Sequence, residues 1–507
     1  MLILHKIASW FLSKRLQRIR YFTDHPEEVQ HQIWKHLLSQ GRATAWGKEH
    51  GYRDILSYRD FQQQVPVSSY EQLFPHIQRC LQGEPDVLWP GKIEWFAKSS
   101  GTTNDKSKFI PMTQESMEDT HFKAGRDMLT VYLEGRPNSK LFSGKALSIS
   151  GSHDPLSMGS SRAGDLSAVL LENLPFFYEL VRTPRKKVAL MSEWEAKIDA
   201  MAEQVMQEDL TSIAGVPTWT LVLINKVFEK LGIEDRNLRK VWPNLEAFFH
   251  GGVNFTPYRE QFHSLLPDDQ MCYMNIYNAS EGFFGFQDDL SRDDMLLLLD
   301  YGSFLEFVPL ENLGDPFPET HTLADVELDR TYALVISTNG GLWRYLIGDT
   351  IEFTSLRPYR IRIAGRTKHF INAFGEELMM GNAEEAIAAA SEATGAIIAN
   401  YTAAPIYFSG EQAGGHEWLI EFVTPPDDLD TFSNTLDQTL RTLNSDYDAK
   451  RYQDMALRFP LIRVMPEGTF YAWMKKRGKL GGQNKVPRLA NERRYVEDIL
   501  SMLASQQ

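Results

Sequence analysis

The sequence predicts an α/β protein of two unequal domains. The larger, residues 1–365, is expected to hold β-sheets flanked by helices and to finish in a small barrel-like sheet; the smaller, residues 366–507, is α+β. Three observations lead there. At 507 residues the chain exceeds what one core supports. Helical periodicity prevails over much of the first part, then apolar positions shift towards a period of two from Met295 onward. Past Arg366-Thr367-Lys368 the pattern changes again, to helices and strands in alternation.

Composition narrows the class. An apolar content of 43%, with 12% aromatics, suffices for a folded core and argues against wholesale disorder. A formal charge of −14 disfavours a nucleic-acid partner, because counterion release needs a cationic face. Only Cys80 and Cys272 occur, so neither a disulfide framework nor a thiolate metal site is expected, and a reducing cytoplasm fits.

At the N-terminus Ile3, Leu4, Ile7, Ala8, Phe11 and Leu12 repeat at helical spacing, ahead of Lys14, Arg15, Arg18 and Arg20. Basic residues after the apolar ones, and too few apolar residues to span a bilayer, argue against a signal peptide and a membrane span. A helix packed on the domain is the expectation, with no stable membrane insertion. Residues 25–90 read as mainly helical, broken at Pro66, Pro75, Pro85 and Pro90. Strands near 95–97 and 109–110 enclose a small-residue loop. Thr113 is placed to cap a helix to about Glu134, with Glu115 and Glu118 near its positive end. A strand at 145–150, a surface loop at 151–164 and helical patterning over 166–207 follow. Gly215 to Trp219 turns into a further helix, and 245–249 and 271–277 read as short buried strands. Strands are then expected at 296–299, 304–308, 332–337, 350–354 and 359–363. The smaller domain reads as helix 383–392, strands 397–401 and 418–422, helix 429–443 and strand 461–464. No internal repeat or low-complexity segment interrupts this order.

Five stretches carry candidate chemistry. The first is the loop Ser99-Ser100-Gly101-Thr102-Thr103, followed by Lys106 and Lys108. Glycine and hydroxyls can bring backbone N–H groups and side chains round phosphate oxygens, although a plain polar hairpin has the same composition. It is not a Walker loop, because Asp105, rather than glycine, precedes Lys106. The second is His250-Gly251-Gly252 at a strand end, where glycines allow a flat ring against the backbone. The third is Tyr277-Asn278-Ala279-Ser280-Glu281-Gly282, combining a ring for stacking, a hydroxyl and a carboxylate suited to a hard cation. The fourth is Arg344-Tyr345-Leu346-Ile347-Gly348-Asp349, read as a hairpin-like turn whose aspartate can accept two ribose hydroxyls, with Gly365-Arg366-Thr367-Lys368 downstream. The fifth is the glycine- and lysine-rich loop from Arg477 to Arg488, whose Lys485 could neutralise developing negative charge if it reaches a cleft.

In that order and spacing, along nearly the whole chain, these motifs resemble the acyl-adenylate-forming superfamily of acyl-CoA synthetases, adenylation domains and luciferase. Within it the chain is most similar to the auxin-responsive Gretchen Hagen family of acyl-acid amido synthetases. The longer SSGTT loop, Gly215-Val216-Pro217-Thr218-Trp219 and Lys485-Val486-Pro487-Arg488 favour that branch. Asp105 and Ser107 depart from its usual loop glycine and proline, and Leu346 replaces an arginine often found there. The resemblance implies an ATP-dependent ligase that makes an acyl-adenylate from a carboxylic acid and then an amide with an amino acid or other amine. It implies Ser99 to Thr103 and Lys108 on the triphosphate, Gly251 and Gly252 flanking adenine, and Tyr277 stacked on it. It further implies Ser280 near the α-phosphate, Glu281 on Mg²⁺, Asp349 and Arg366 on the ribose, and Lys485 at the reacting carboxylate. Lys368 would be the hinge of a mobile smaller domain, and Thr218 and Trp219 would border the acid. An acyl-CoA synthetase, a non-catalytic nucleotide-binding protein and, more remotely, a metal hydrolase using His153 and Asp154 are the rival readings.

Overall fold

The computed structural model describes residues 14–99, 108–151, 161–252, 255, 258–268, 270–315, 317–366, 370–371, 376, 378–406, 414–444, 447–448, 451, 457–480, 485–490 and 492–505. The strands, in chain order, are β1 (Trp95–Ser99), β2 (Lys108–Met112), β3 (Lys145–Ser148), β4 (Arg162–Gly164), β5 (Arg182–Thr183), β6 (Leu210–Gly215), β7 (Ala247–Gly251) and β8 (Cys272–Ala279). They continue as β9 (Gly282–Phe286), β10 (Met295–Leu297), β11 (Ser303–Pro309), β12 (Thr331–Thr338), β13 (Tyr345–Leu356) and β14 (Tyr359–Arg366). The last part of the chain carries β15 (Phe370–Ile371), β16 (Leu378–Met379), β17 (Ile397–Ile406), β18 (Gly415–Thr424) and β19 (Leu461–Met465).

An eleven-stranded sheet forms the frame, in the order β11-β12-β13-β14-β10-β9-β8-β7-β6-β3-β5. From β5 to β8 neighbouring strands run parallel; from β8 to β11 they run antiparallel. The parallel half is covered on both faces, as such sheets require. Phe248, with Leu147, Leu210 and Ile213, packs under the helices Trp194–Val205 and Pro217–Leu231 through Met201, Val205, Leu223 and Val227. Its neighbours Ala247 and Phe249 join the other core, with Met128 and Tyr132 of the helix Lys123–Gly135. That one-residue alternation is the period of two expected of a strand. Of the N-terminal stretch, residues 14–24 are helical, with Ile19 and Phe22 buried in the same core.

Beside the large sheet, β1 pairs antiparallel with β2, Ser99 opposite Lys108, and parallel with β4. In the last part of the chain, β17-β18-β19 carries the helices Met380–Thr394 and Leu429–Leu443 on one face. The helices Thr469–Lys476 and Arg494–Ala504 cover the other.

Four local expectations need correction. Helical patterning over 166–207 is broken into Leu166–Glu172, a 3₁₀ turn Phe176–Leu180, β5, Lys186–Ala189 and Trp194–Val205, because Pro175 and Pro184 lack the N–H a helix interior needs. The helix after Thr113 begins as expected, with Ser116 N–H donating to Thr113 Oγ1 at 3.0 Å, but Ser116–Phe122 is π-helical. Pro75 lies inside the helix Tyr70–Leu81, where burial of Leu73, Ile77, Cys80 and Leu81 outweighs one lost hydrogen bond. Gly348 and Asp349 are not a hairpin turn but part of β13. Ile347, Gly348 and Asp349 stand opposite the single residue Leu334, a bulge that glycine at φ +92° makes possible.

The start of β13 is held by a buried ion pair. Arg344, at φ +40°, gives Nε and Nη2 hydrogen bonds to Glu306 of β11, and both side chains are 0% exposed. Its Nη1 donates to the carbonyls of Gln62 and Val65, at 3.0 and 2.6 Å, and Tyr58 Oη donates to Glu306 at 2.9 Å. Removing one partner strands the other in apolar surroundings. Arg344→Met is therefore expected to destabilise the fold by about 3–5 kcal/mol in urea unfolding.

Candidate functional site

Strands β6, β7 and β8 run parallel in close register, Gly215 beside His250 and Gly251 beside Ile276, so the residues after them emerge on one rim. Ligands in such sheets lie outside these carboxyl ends. On this rim β8 turns back into β9 through the two residues Ser280-Glu281, with Ala279 opposite Gly282. Ser280 is buried, and its Oγ finds no hydrogen-bond partner among the described residues. Glu281 is half-buried.

The base of the hairpin β1–β2 meets the same place. Its tip, including Ser100, Gly101, Thr102, Thr103 and Lys106, lies outside the described residues; of Ser99 only the backbone is described. At its base Lys108 Nζ donates to Tyr345 Oη at 3.3 Å and lies 5.6 Å from the Tyr70 ring centre. Tyr70 Oη in turn accepts from Phe109 N–H at 2.8 Å. Burial above all, then the charge of Glu281 with Tyr70, Glu71 and Asp349 nearby, holds the Tyr345 hydroxyl well above the ordinary phenol range. Lys108, Tyr345, Glu281 and Asp349 thus share one locus. Tyr277 Oη donates to Asp349 Oδ2 at 2.6 Å, and both side chains are buried. The β13 bulge aims the aspartate there, and in register it faces Arg366, whose side chain is not described.

The glycine pair joins this rim to the C-terminal segment. Gly251 ends β7, where a Cβ would stand 2.6 Å from Ile276 O. Gly252, at φ +80°, accepts a hydrogen bond from Lys485 Nζ on its carbonyl. Arg488, three residues on, donates to Tyr258 Oη at 2.7 Å and lies 4.5 Å over the Tyr401 ring. Lys475 adds an ion pair to Glu195 at 2.5 Å. Trp219 is buried in the first turn of the helix Pro217–Leu231, and the Thr218 side chain is not described. Lys368, His153 and Asp154 lie outside the described residues.

Sequence reasoning missed Tyr345 and Tyr70, which link the hairpin to β13. The Arg344-Tyr345 pair beside Gly348-Asp349 was the available signal. Leu346 has no charge to offer; it packs with Val308, Ala333 and Val335. No cluster of three or more His, Cys, Asp or Glu side chains able to cage a metal ion exists among the described residues. A single carboxylate, Glu281, near the base of the β1–β2 hairpin fits a different donor set, one in which Mg²⁺ would take one side chain and draw its other ligands from phosphate oxygens. No helix among the described residues is long and apolar enough to cross a membrane.

Two buried histidines frame the rim. His250 stacks on Phe255 at 4.0 Å, and burial, aided by Arg259, pushes it down to about 3. Burial likewise lowers His121 to about 4, against its bond to Asn278. The unfolded chain therefore binds protons from about pH 6.5 downward that the native state refuses until lower pH, so stability falls as pH falls through that window. Each histidine is expected to contribute about 1.4 kcal/mol per pH unit below about pH 6, and His250→Leu to flatten the slope of urea stability against pH.

Family models match three consecutive parts of the chain: the GH3 family N-terminal domain over residues 15–271, the central domain over 296–366 and the C-terminal domain over 381–494. Among curated relatives, the indole-3-acetic acid-amido synthetase GH3.3 of Arabidopsis thaliana is 23% identical, across 97% of this chain and 94% of its own length. The 4-substituted benzoates-glutamate ligase GH3.12 of the same plant is 20% identical, across 93% and 94%. Among solved structures, the GH3.15 acyl acid amido synthetase in complex with 2,4-DB superposes with a TM-score of 0.81 at 17% identity, covering 97% of this chain and 96% of that one. A 2-hydroxyisobutyryl-CoA ligase in the postadenylation state gives 0.60 at 13% identity, covering 94% and 92%. These likenesses show the fold, the mixed α/β arrangement with a large sheet that the sequence predicted.

Proposed function

This chain belongs to the GH3 family, and from that premise we propose that it is an ATP-dependent ligase that activates a carboxylic acid as its acyl-adenylate and passes the acyl group to an amine, first of all an amino acid, to form an amide. The observation that carries this reading is the convergence of Lys108, Tyr345, Glu281, Asp349 and Tyr277 on one rim, with Lys485 brought to Gly252 beside them.

In the first step a carboxylate oxygen attacks the α-phosphorus and pyrophosphate leaves. Lys108 and the hairpin tip from Ser99 to Thr103 take up the charge of the leaving phosphates. Asp349, oriented by Tyr277, accepts the ribose hydroxyls together with Arg366, while Gly251, Gly252 and the Tyr277 ring border the adenine. The Ser280 hydroxyl, without a partner among the described residues, gains a phosphate oxygen. Glu281 would hold Mg²⁺, which would supply charge neutralisation at the phosphates. Lys485 leaves the Gly252 carbonyl to bridge the carboxylate and the α-phosphate, where its cation stabilises the developing charge. In the second step the amine nitrogen attacks the acyl carbon, AMP departs with the C–O electron pair, and the nitrogen loses its proton. Rotation of residues 366–507 about Lys368 clears Lys485 between the steps. Thr218 and Trp219 border the acid.

Relatives named for indole-3-acetic acid, jasmonoyl and benzoate conjugation support an aromatic or alicyclic acid and an amino-acid acceptor. Two free, buried cysteines support a cytoplasmic setting.

Mass analysis of products from ATP, an acid library and mixed amino acids is expected to show acyl-amino acids with AMP; a CoA thioester formed in their place would overturn the reading. Lys485→Ala is expected to slow acid-dependent ATP–pyrophosphate exchange by about 10²–10³ while affecting aminolysis of preformed adenylate far less. Tyr277→Phe removes a hydrogen bond to a charged partner and is expected to raise the KM for ATP by about tenfold.

A further inference from the structure

The π-helical turn Ser116–Phe122 has no role in the reaction as described, although such turns are frequent at functional sites. It is firmly placed. Thr113 Oγ1 donates to Asn339 O at 2.7 Å and Thr120 Oγ1 to Tyr301 O at 2.8 Å, so the wide turn is moored to the loops of the antiparallel half. The residue after Thr120 points elsewhere. His121 is buried, and its Nδ1 lies 3.1 Å from Asn278 Oδ1. That amide oxygen can only accept, so the ring donates from Nδ1.

Asn278 is next to Tyr277 in β8, and successive strand residues face opposite sides. Tyr277 is bonded on one side to Asp349 and Asn278 on the other to His121. The strand is gripped from both faces just where its pairing with β9 slips, Tyr277 opposite Gly285 but Asn278 opposite Phe283. Two residues further on come Ser280 and Glu281, the whole of the turn into β9. A two-residue turn has little freedom of its own. Its position is inherited from the strand ends that enter it.

We infer that His121 is a positioning residue: through Asn278 it sets the height of the Ser280–Glu281 turn, and so the place of the carboxylate that meets the nucleotide's Mg²⁺. The imidazole's hydrogen bond is to the strand, and on this inference it acts through that strand. The inference rests on the reading of Glu281 given above.

The test is calorimetric titration of the full-length protein with ATP, once in Mg²⁺ and once in EDTA, alongside thermal unfolding. Removing a group that orients a metal-holding side chain is expected to weaken MgATP binding by about tenfold in His121→Ala and in Asn278→Ala, with affinity in EDTA held within about twofold. The double variant should lose no more than either single one, since both break the same contact. His121→Asn, whose amide N–H₂ occupies the place of Nδ1–H, should recover most of the loss. Should His121→Ala fail to fold, Asn278→Ala and His121→Asn carry the comparison. Equal losses in Mg²⁺ and EDTA together with a lowered Tm would reduce His121 to a packing residue and overturn the inference. Variants that respond to Mg²⁺ as the parent does would overturn it as well. A parent whose ATP binding ignores Mg²⁺ overturns the role of Glu281 itself, a failure distinct from that of His121.

Discussion

The ion pair between Arg344 and Glu306 is the constraint on which the rest of this molecule hangs. Withdrawing a guanidinium and a carboxylate from water costs several kcal/mol for each ion, offset only when nearly every donor and acceptor is occupied. Here Glu306 takes Arg344 and the Tyr58 hydroxyl, while Arg344 also serves the carbonyls of Gln62 and Val65. One contact therefore joins the N-terminal helical layer, β11 and the beginning of β13. The residue after Arg344 is the tyrosine that meets Lys108, and four residues later β13 bulges to present Asp349. A contact with no chemistry of its own fixes the strand on which two candidate site residues ride.

The rim lies where the large sheet changes character. Strand β8 has a parallel neighbour on one side and an antiparallel one on the other, so the two halves meet along it, with Ile276 paired to both. From the parallel half come Gly251 and Gly252; from the antiparallel half come Tyr345 and Asp349; the hairpin supplies Lys108. A ligand with phosphate, sugar and base needs donors and acceptors spread over many ångströms, and no single loop reaches that far. A sheet broad enough to bring distant segments side by side does.

Much of this was legible. Strands 304–308, 332–337 and 359–363 were readable to within a few residues because alternation is imposed by a buried face, and the helix Leu429–Leu443 was placed to the residue. What escaped had no local signature. Tyr345 reads as one more core aromatic until the hairpin is folded against it. The bond from His121 to Asn278 spans 157 positions. The π turn cannot be told from α by spacing over seven residues. The helix Thr469–Lys476, preceded by Gly468 at φ +78° and rich in aromatics, mixes signals for turn, strand and helix. The Gly348-Asp349 pair was misread for a definite reason: glycine before aspartate satisfies a turn and a bulge equally, and only the pairing partner across the strand decides.

The adjacent glycines at the end of β7 are not equivalent. A methyl group at 251 would press on a carbonyl of the neighbouring strand, so any replacement there disturbs the sheet whether or not a ligand is ever bound. At 252 the obstacle is the left-handed backbone, and the nearest atom in the way is the ammonium of Lys485. In a library of variants the first position would be read out in the amount of folded protein recovered. The second would be read out in how the C-terminal segment meets the end of β7.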